Sequence, residues 1–148
     1  MLIAAHSISA ATLGQAIGNP VLAFFLGVIL HYVLDSIPHY DTTDKGKFTV
    51  RQILFIATDA VLGFVAMVYL YMNSELGSGF YCGALGGIFP DLLDNVPFWR
   101  NGIHKIKIIK NFYRFHQKVH FLVARPFYGI LVQIIVVCCS LYFFIAYL

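Results

Sequence analysis

The stretch HYVLDSIPHYD, residues 31–41, places two histidines and two aspartates directly after the apolar run VLAFFLGVIL. His31 and Asp35 are four residues apart, so a helix presents them on one face, one turn apart. Pro38 then bends the chain, and His39 and Asp41 follow it. Imidazole and carboxylate together suit zinc, manganese or iron, whereas an all-oxygen site would suit magnesium. This stretch therefore predicts part of a divalent-metal site.

Further ionisable side chains have helical spacing or lie in apolar surroundings. Asp91 and Asp94 are three residues apart, His116 and His120 are four apart, and Asp59 interrupts a long apolar stretch. An ionised carboxylate at the centre of a bilayer costs roughly 2.5–3.5 kcal/mol, so such a group requires a partner. A bound divalent ion would offset these charges. The alternative is a hydrogen-bond network that only specifies helix packing.

The composition indicates which kind of secondary structure holds these side chains. The chain has 148 residues, of which 59% are hydrophobic and 11% are charged, a balance typical of integral membrane proteins. A membrane-spanning helix takes about 20 residues. The apolar stretches therefore predict an all-α integral membrane protein of about five membrane helices, at about 2–17, 21–36, 50–72, 79–94 and 126–148.

A weak internal repeat suggests how these helices are organised. HYVLDSIPHY, residues 31–40, aligns with PDLLDNVPFW, residues 90–99, with one leucine, one aspartate and one proline in register. We expect a single domain built from two hairpin repeats that run in the same direction. The predicted parts are hairpins at 1–44 and 49–99, an amphipathic segment at 101–122 and a C-terminal helix at 126–148.

The basic residues predict the orientation of the chain. All ten lysines and arginines lie within 45–51 or 100–125, and the other turns have none. By the positive-inside rule, these loops and the N-terminus face the cytoplasm, and the C-terminus faces outward. The metal-binding candidates then lie on the cytoplasmic side.

The segment at 101–122 mixes isoleucine and phenylalanine with cations, a pattern that suits an amphipathic helix on an anionic leaflet. His104 lies among these cations, which favours a solvated or headgroup position. Membrane lipids are the expected partners, with an anionic headgroup or a lipid phosphate as the substrate class; no nucleic-acid partner is expected, and a homo-oligomer is left open. The cations that would bind such a headgroup are Lys105, Lys107, Lys110, Arg114 and Lys118.

Four motifs together resemble a known family. His6 with HYVLDSIPHYD, GGIFPDLLDN and FHQKVH is similar to the membrane-bound metal-dependent hydrolase family of small bacterial and archaeal inner-membrane proteins. The resemblance extends from His6 to His120, although Gln117 stands where the family pattern has a basic residue. It implies a prokaryotic inner-membrane hydrolase without a defined substrate. By position, it implies metal ligands at His6, Asp91, Asp94, His116 and His120.

Two classes of function remain open at this point. The first is a hydrolase with one or two divalent ions, zinc or manganese, that activate water; Asp59 is the candidate proton acceptor or orienting group. The second is a metal-binding membrane transporter, or a structural membrane module without catalysis. The full set of candidate ligands is His6, His31, Asp35, His39, Asp91, Asp94, His116 and His120.

Overall fold

The computed structural model describes residues 2–40, 49–95, 97–119 and 124–147. Over these residues the chain is all-helical, apart from short connections. The helices are α1 (Ile3–Ile17), α2 (Pro20–Asp35), α3 (Val50–Asn73), α4 (Ser78–Asn95), α5 (Pro97–Ile103), α6 (Lys107–Val119) and α7 (Pro126–Tyr147). The bounds of α1 to α4 and α7 agree closely with the apolar stretches of the sequence, because turn residues interrupt those stretches.

Local sequence signals account for the helix ends. Gly18 ends α1 with a positive φ of 72°, a conformation that glycine adopts readily. Asn19 then caps α2 by accepting hydrogen bonds from the amides of Val21 and Leu22, with Pro20 at the first helical position. At the start of α3, Thr49 and Gln52 form a reciprocal capping box.

The centre of the fold is α1, which packs against α2, α3, α4 and α7. α4 packs on α1 through Gly79, Gly83 and Gly87, which are four residues apart, and on α2 through Gly86. A Cβ on Gly83 would overlap the carbonyl oxygen of Ala10 in α1, and one on Gly86 would overlap that of Phe24 in α2. This stripe of small residues lets three helix backbones approach closely. The ends of α1, α2 and α4 are thereby brought together.

The expectation of five membrane helices is not supported. Two helices within the described part of the chain are long and apolar enough to cross a membrane, namely α3 and α7. α1 and α2 have only 15 and 16 residues, although α2 is apolar. α4 has 18 residues but contains Pro90 and two aspartates.

The predicted amphipathic segment at 101–122 also differs from the structure. It is divided between α5 and α6, with a turn at His104, Lys105 and Ile106 between them. The helix packing also differs from that of two separate hairpins. α4 packs on both α1 and α2, and α3 packs on α1. Whether the hairpins are a repeated unit stays a prediction.

Candidate metal centre

Four helices bring histidines and aspartates to one end of the molecule. His6 lies near the start of α1, His31 and Asp35 lie in the last turns of α2, and His116 comes from α6. The side chains of His6, His31 and Asp35 have no solvent exposure, and that of His116 has 4%. Ionisable groups are rarely buried in this number unless they pair or bind metal.

The core of the cluster is a triangle of one carboxylate oxygen and two imidazole nitrogens. Asp35 Oδ2 lies 3.1 Å from His31 Nε2 and 2.9 Å from His116 Nε2, and the two nitrogens are 3.2 Å apart. Ligands that bind one ion at about 2.1 Å lie about 3.0–3.4 Å apart at octahedral or tetrahedral angles. The triangle therefore has the dimensions of one face of a metal coordination shell.

The other nitrogen of each of these rings is held by a hydrogen bond. His31 Nδ1 donates to the carbonyl oxygen of Gly87 in α4 at 2.7 Å. His116 Nδ1 lies 2.7 Å from Asp94 Oδ2, also in α4. A carbonyl oxygen only accepts, so His31 Nδ1 has a proton, and in this tautomer Nε2 is the atom that can offer a lone pair to a metal. Such second contacts orient the histidine ligands of metal sites.

This arrangement requires positive charge inside the triangle. The lone pair of His31 Nε2 faces Asp35 Oδ2, which is itself only an acceptor when ionised. A proton on His116 Nε2 can serve only one of its two neighbours well, so the contact between His31 and Asp35 needs either a second proton or a metal ion. A divalent cation would satisfy all three atoms at once. The cluster can therefore hold a metal ion.

The pKa of His116 reflects the same charge balance. Burial alone lowers the pKa, but hydrogen bonds to Asp35 and Asp94 and the negative charge of Asp91 raise it to about 9. Without metal, an imidazolium at His116 therefore supplies part of the positive charge that the cluster requires.

His6 and Asp91 extend the cluster on two sides. Asp91 Oδ1 lies 4.0 Å from the Nε2 atoms of both His31 and His116, and its side chain is 19% exposed. His6 Nε2 lies 3.1 Å from Asp35 Oδ1, and its ring stacks on that of His31 at 3.9 Å. Nδ1 of His6 is buried and has no hydrogen-bond partner among the described residues. His6, His31 and Asp91 form a second group that could hold an ion.

The other predicted ligands differ in their positions. Asp94 touches His116 and so orients it, while His39 lies with Nε2 3.8 Å from Asp35 Oδ1. Nδ1 of His39 donates to the carbonyl oxygen of Ile37. His120 and Asp41 lie outside the described residues.

Asp59, predicted as the proton acceptor, lies against the start of α1 in the structure. Asp59 Oδ2 accepts a hydrogen bond from the amide of Ala4, in the first turn of α1. Since Leu2 provides no side-chain cap, this carboxylate satisfies one of the free amides at the helix start. Its observed role is to attach α3 to α1.

The cations proposed to bind a headgroup all lie on the exposed surface of the turn before α6 and of α6 itself. His104, expected to be solvated, instead has Nε2 3.3 Å from Asp94 Oδ1 and is 18% exposed. Its ring packs against Tyr113. The break between α5 and α6 directs His104 toward Asp94, and the sequence pattern gave no signal for that break.

The search for related proteins gives no further assignment: no family model, no curated protein and no solved structure matches this chain.

Proposed function

We propose that this chain is a metal-dependent hydrolase of the membrane, acting on a lipid phosphate ester at the cytoplasmic leaflet. The observation that carries the proposal is the buried triangle of His31, Asp35 and His116, with both imidazoles oriented by second hydrogen bonds. The resemblance to membrane-bound metal-dependent hydrolases agrees with this proposal but adds no substrate.

Each residue of the cluster has a role in the proposal. His31, Asp35 and His116 would hold the ion, and Asp91 lies beside them on the exposed side, with Oδ1 4.0 Å from the Nε2 atoms of both histidines. The mixture of nitrogen and oxygen ligands favours zinc or manganese. Such an ion lowers the pKa of a bound water and polarises a phosphoryl oxygen.

Asp91 replaces Asp59 as the proposed proton acceptor. It is the most exposed carboxylate of the cluster, with 19% exposure against 0% for Asp35 and 5% for Asp94. One of its oxygens accepts a hydrogen bond from Asn95 at 2.9 Å, which fixes its orientation. A carboxylate so placed can accept the proton of an attacking water.

The outer surface supports placement in a membrane. α3 and α7 expose large apolar side chains along their length, among them Phe64 at 69% and Ile145 at 70%. In water such a surface would be unfavourable, whereas lipid tails would cover it. With the basic segments on the cytoplasmic side, the metal centre would face the inner leaflet.

The positive charge on α6 supports an anionic lipid rather than a peptide as substrate. Lys107, Lys110, Arg114 and Lys118 are exposed on the helix that supplies His116. No aspartate or glutamate follows Asp94 in the sequence. A phosphate ester with a lipid tail would therefore contact cations with its phosphate and apolar surface with its tail.

The alternative of a transporter has less support. The buried ionisable cluster lies at one end of the helices, and Glu75 at the other end is exposed in a turn. An ion path requires groups along its whole length.

Hydrolysis in mixed micelles tests the proposal. We expect metal-loaded protein to release phosphate or an alcohol from phosphatidic acid, from another phospholipid or from a polyprenyl phosphate. Activity should be lost in Asp35→Asn and with chelator, and should persist in the matched Asp59→Asn. A folded, metal-loaded protein without activity on any of these esters would contradict the hydrolase assignment.

A further inference from the structure

α6 presents three faces of different character. At 100° per residue, Lys107, Lys110, Arg114 and Lys118 share one side, which we call the basic face. The adjoining apolar face consists of Ile108, Phe112 and Phe115, which are 68%, 53% and 51% exposed. The third face contains His116, the one buried residue of the described helix.

His116 attaches α6 to the rest of the fold through buried contacts. Its imidazole contacts Asp35 in α2 and Asp94 in α4. Nearby, the ring of Phe115 packs against that of Tyr32 at 5.1 Å. The other described residues of α6 are half-buried or exposed. One metal-ligand candidate is thus the main buried contact of an otherwise exposed helix.

The two exposed faces together match the surface of an anionic bilayer. Phenylalanine and isoleucine enter the boundary between headgroups and tails, while adjacent lysines and arginines attract negative headgroups. Each cation near such a surface adds to this attraction. The neighbouring sequence has no acidic residue that would oppose this attraction.

We propose that the anionic leaflet seats α6 and thereby holds His116 at the metal centre, so that metal and anionic lipid bind cooperatively. This inference rests on the proposed metal centre, but not on hydrolysis. Coupling of this kind is reciprocal: lipid raises the affinity for metal by the same factor as metal raises the affinity for lipid.

The test compares zinc affinity in two bilayers. The full chain is placed in nanodiscs of phosphatidylcholine alone or with phosphatidylglycerol, and zinc affinity is measured by competition with a chelating dye. Empty nanodiscs of each composition correct for zinc bound by lipid. We expect affinity at least about fivefold higher in the anionic discs, the lower end of typical coupling.

Three variants separate this coupling from other effects. Replacing the four cations of the basic face by glutamine should abolish the difference between lipids. Arg51→Gln, which removes an exposed cation of α3, should preserve it. His116→Ala should retain weak zinc binding through His31 and Asp35 but lose its dependence on lipid.

Hydrogen exchange provides a second readout. Zinc should slow exchange of the α6 amides, and it should do so more strongly in anionic discs. Equal zinc affinity in both lipids, with equal exchange in α6, would overturn the coupling and leave the metal centre intact. Absence of zinc binding in both lipids would overturn the metal centre and the coupling together.

Discussion

Asp35 is the residue around which the cluster is arranged. Its Oδ1 faces His6 Nε2 at 3.1 Å, and its Oδ2 faces the Nε2 atoms of His31 and His116. The carboxylate thus contacts three imidazoles from three helices while it has no exposure to solvent. Without a metal ion, these contacts need protons on the imidazole nitrogens that face the carboxylate. With one, the same distances become the edges of a coordination shell.

The orienting role of Asp94 leads to a graded prediction. Asp94→Asn weakens the hydrogen bond to His116 Nδ1 but leaves the three atoms of the triangle in place. We expect metal affinity to fall about 10–100-fold, the usual effect of removing such a contact. Competition with a chelating dye measures the change, with Asp59→Asn as the unaffected control. An unchanged affinity in Asp94→Asn would contradict the orienting role.

Metal binding should depend on pH through His116. Its pKa of about 9 in the metal-free protein means that the ring has two protons at neutral pH, one of which must leave before Nε2 binds metal. The affinity for metal should therefore rise about tenfold per pH unit between about pH 7 and 9, because binding releases this proton. Above about pH 9 the ring has already lost the proton, so the rise due to His116 should end. His116→Ala should show a shallower slope. The same slope in both proteins would contradict the assignment.

At the scale of the elements, the glycine stripe of α4 determines whether the ligands meet. Gly83 leaves no space for a side chain against α1, and Gly86 leaves none against α2. His6 and His31 reach the same point because α4 packs closely on the helices that hold them. Asp91 and Asp94 follow five and eight residues after Gly86 on the same helix.

A single methyl group tests the importance of this packing. Gly83→Ala should push α1 away from α4 and lower the stability by about 1–3 kcal/mol, the usual cost of overpacking. Thermal unfolding in detergent measures the loss. Gly102→Ala in α5 is the matched control, because its added methyl meets nothing within 4 Å. Equal unfolding temperatures for the two variants would contradict the close packing.

The sequence predicted the main helices well and the relation between them less well. Apolar runs between turn residues marked α1 to α4 and α7 to within one or two residues. The motif spacing also singled out His31, Asp35 and Asp94. The break at His104 and the use of Asp59 as a helix cap depend on tertiary contacts that no local pattern encodes. The composition also predicted too many membrane-spanning helices. α1 and α4 owe much of their apolar character to small residues, and these residues face other helices.

At the scale of the whole molecule, the polar and apolar parts occupy different places. Ionisable side chains gather at the end formed by α1, α2, α4 and α6, while α3 and α7 present apolar side chains outward. This separation suits a catalytic or binding end at a membrane surface, supported by lipid-facing helices. The orientation follows from the position of the basic residues and stays a prediction.

Cysteine labelling tests the orientation. In a variant without native cysteines, Glu75→Cys and Lys105→Cys place one thiol at each end of the described fold, both at exposed positions. We expect an impermeant reagent added to intact cells to label position 75 and to spare position 105. Labelling of position 105 alone would place the metal centre on the outer side.

The central claim is that Asp35 and its histidine neighbours bind a divalent ion. The most direct measurement is the metal content of untagged, purified protein by elemental mass spectrometry, after incubation with zinc or manganese and removal of the excess. Wild type and Asp59→Asn should each retain at least about one ion per chain, and Asp35→Asn should lose the ion held by the triangle. Folded wild-type protein without bound metal, or equal metal in Asp35→Asn, would contradict the account.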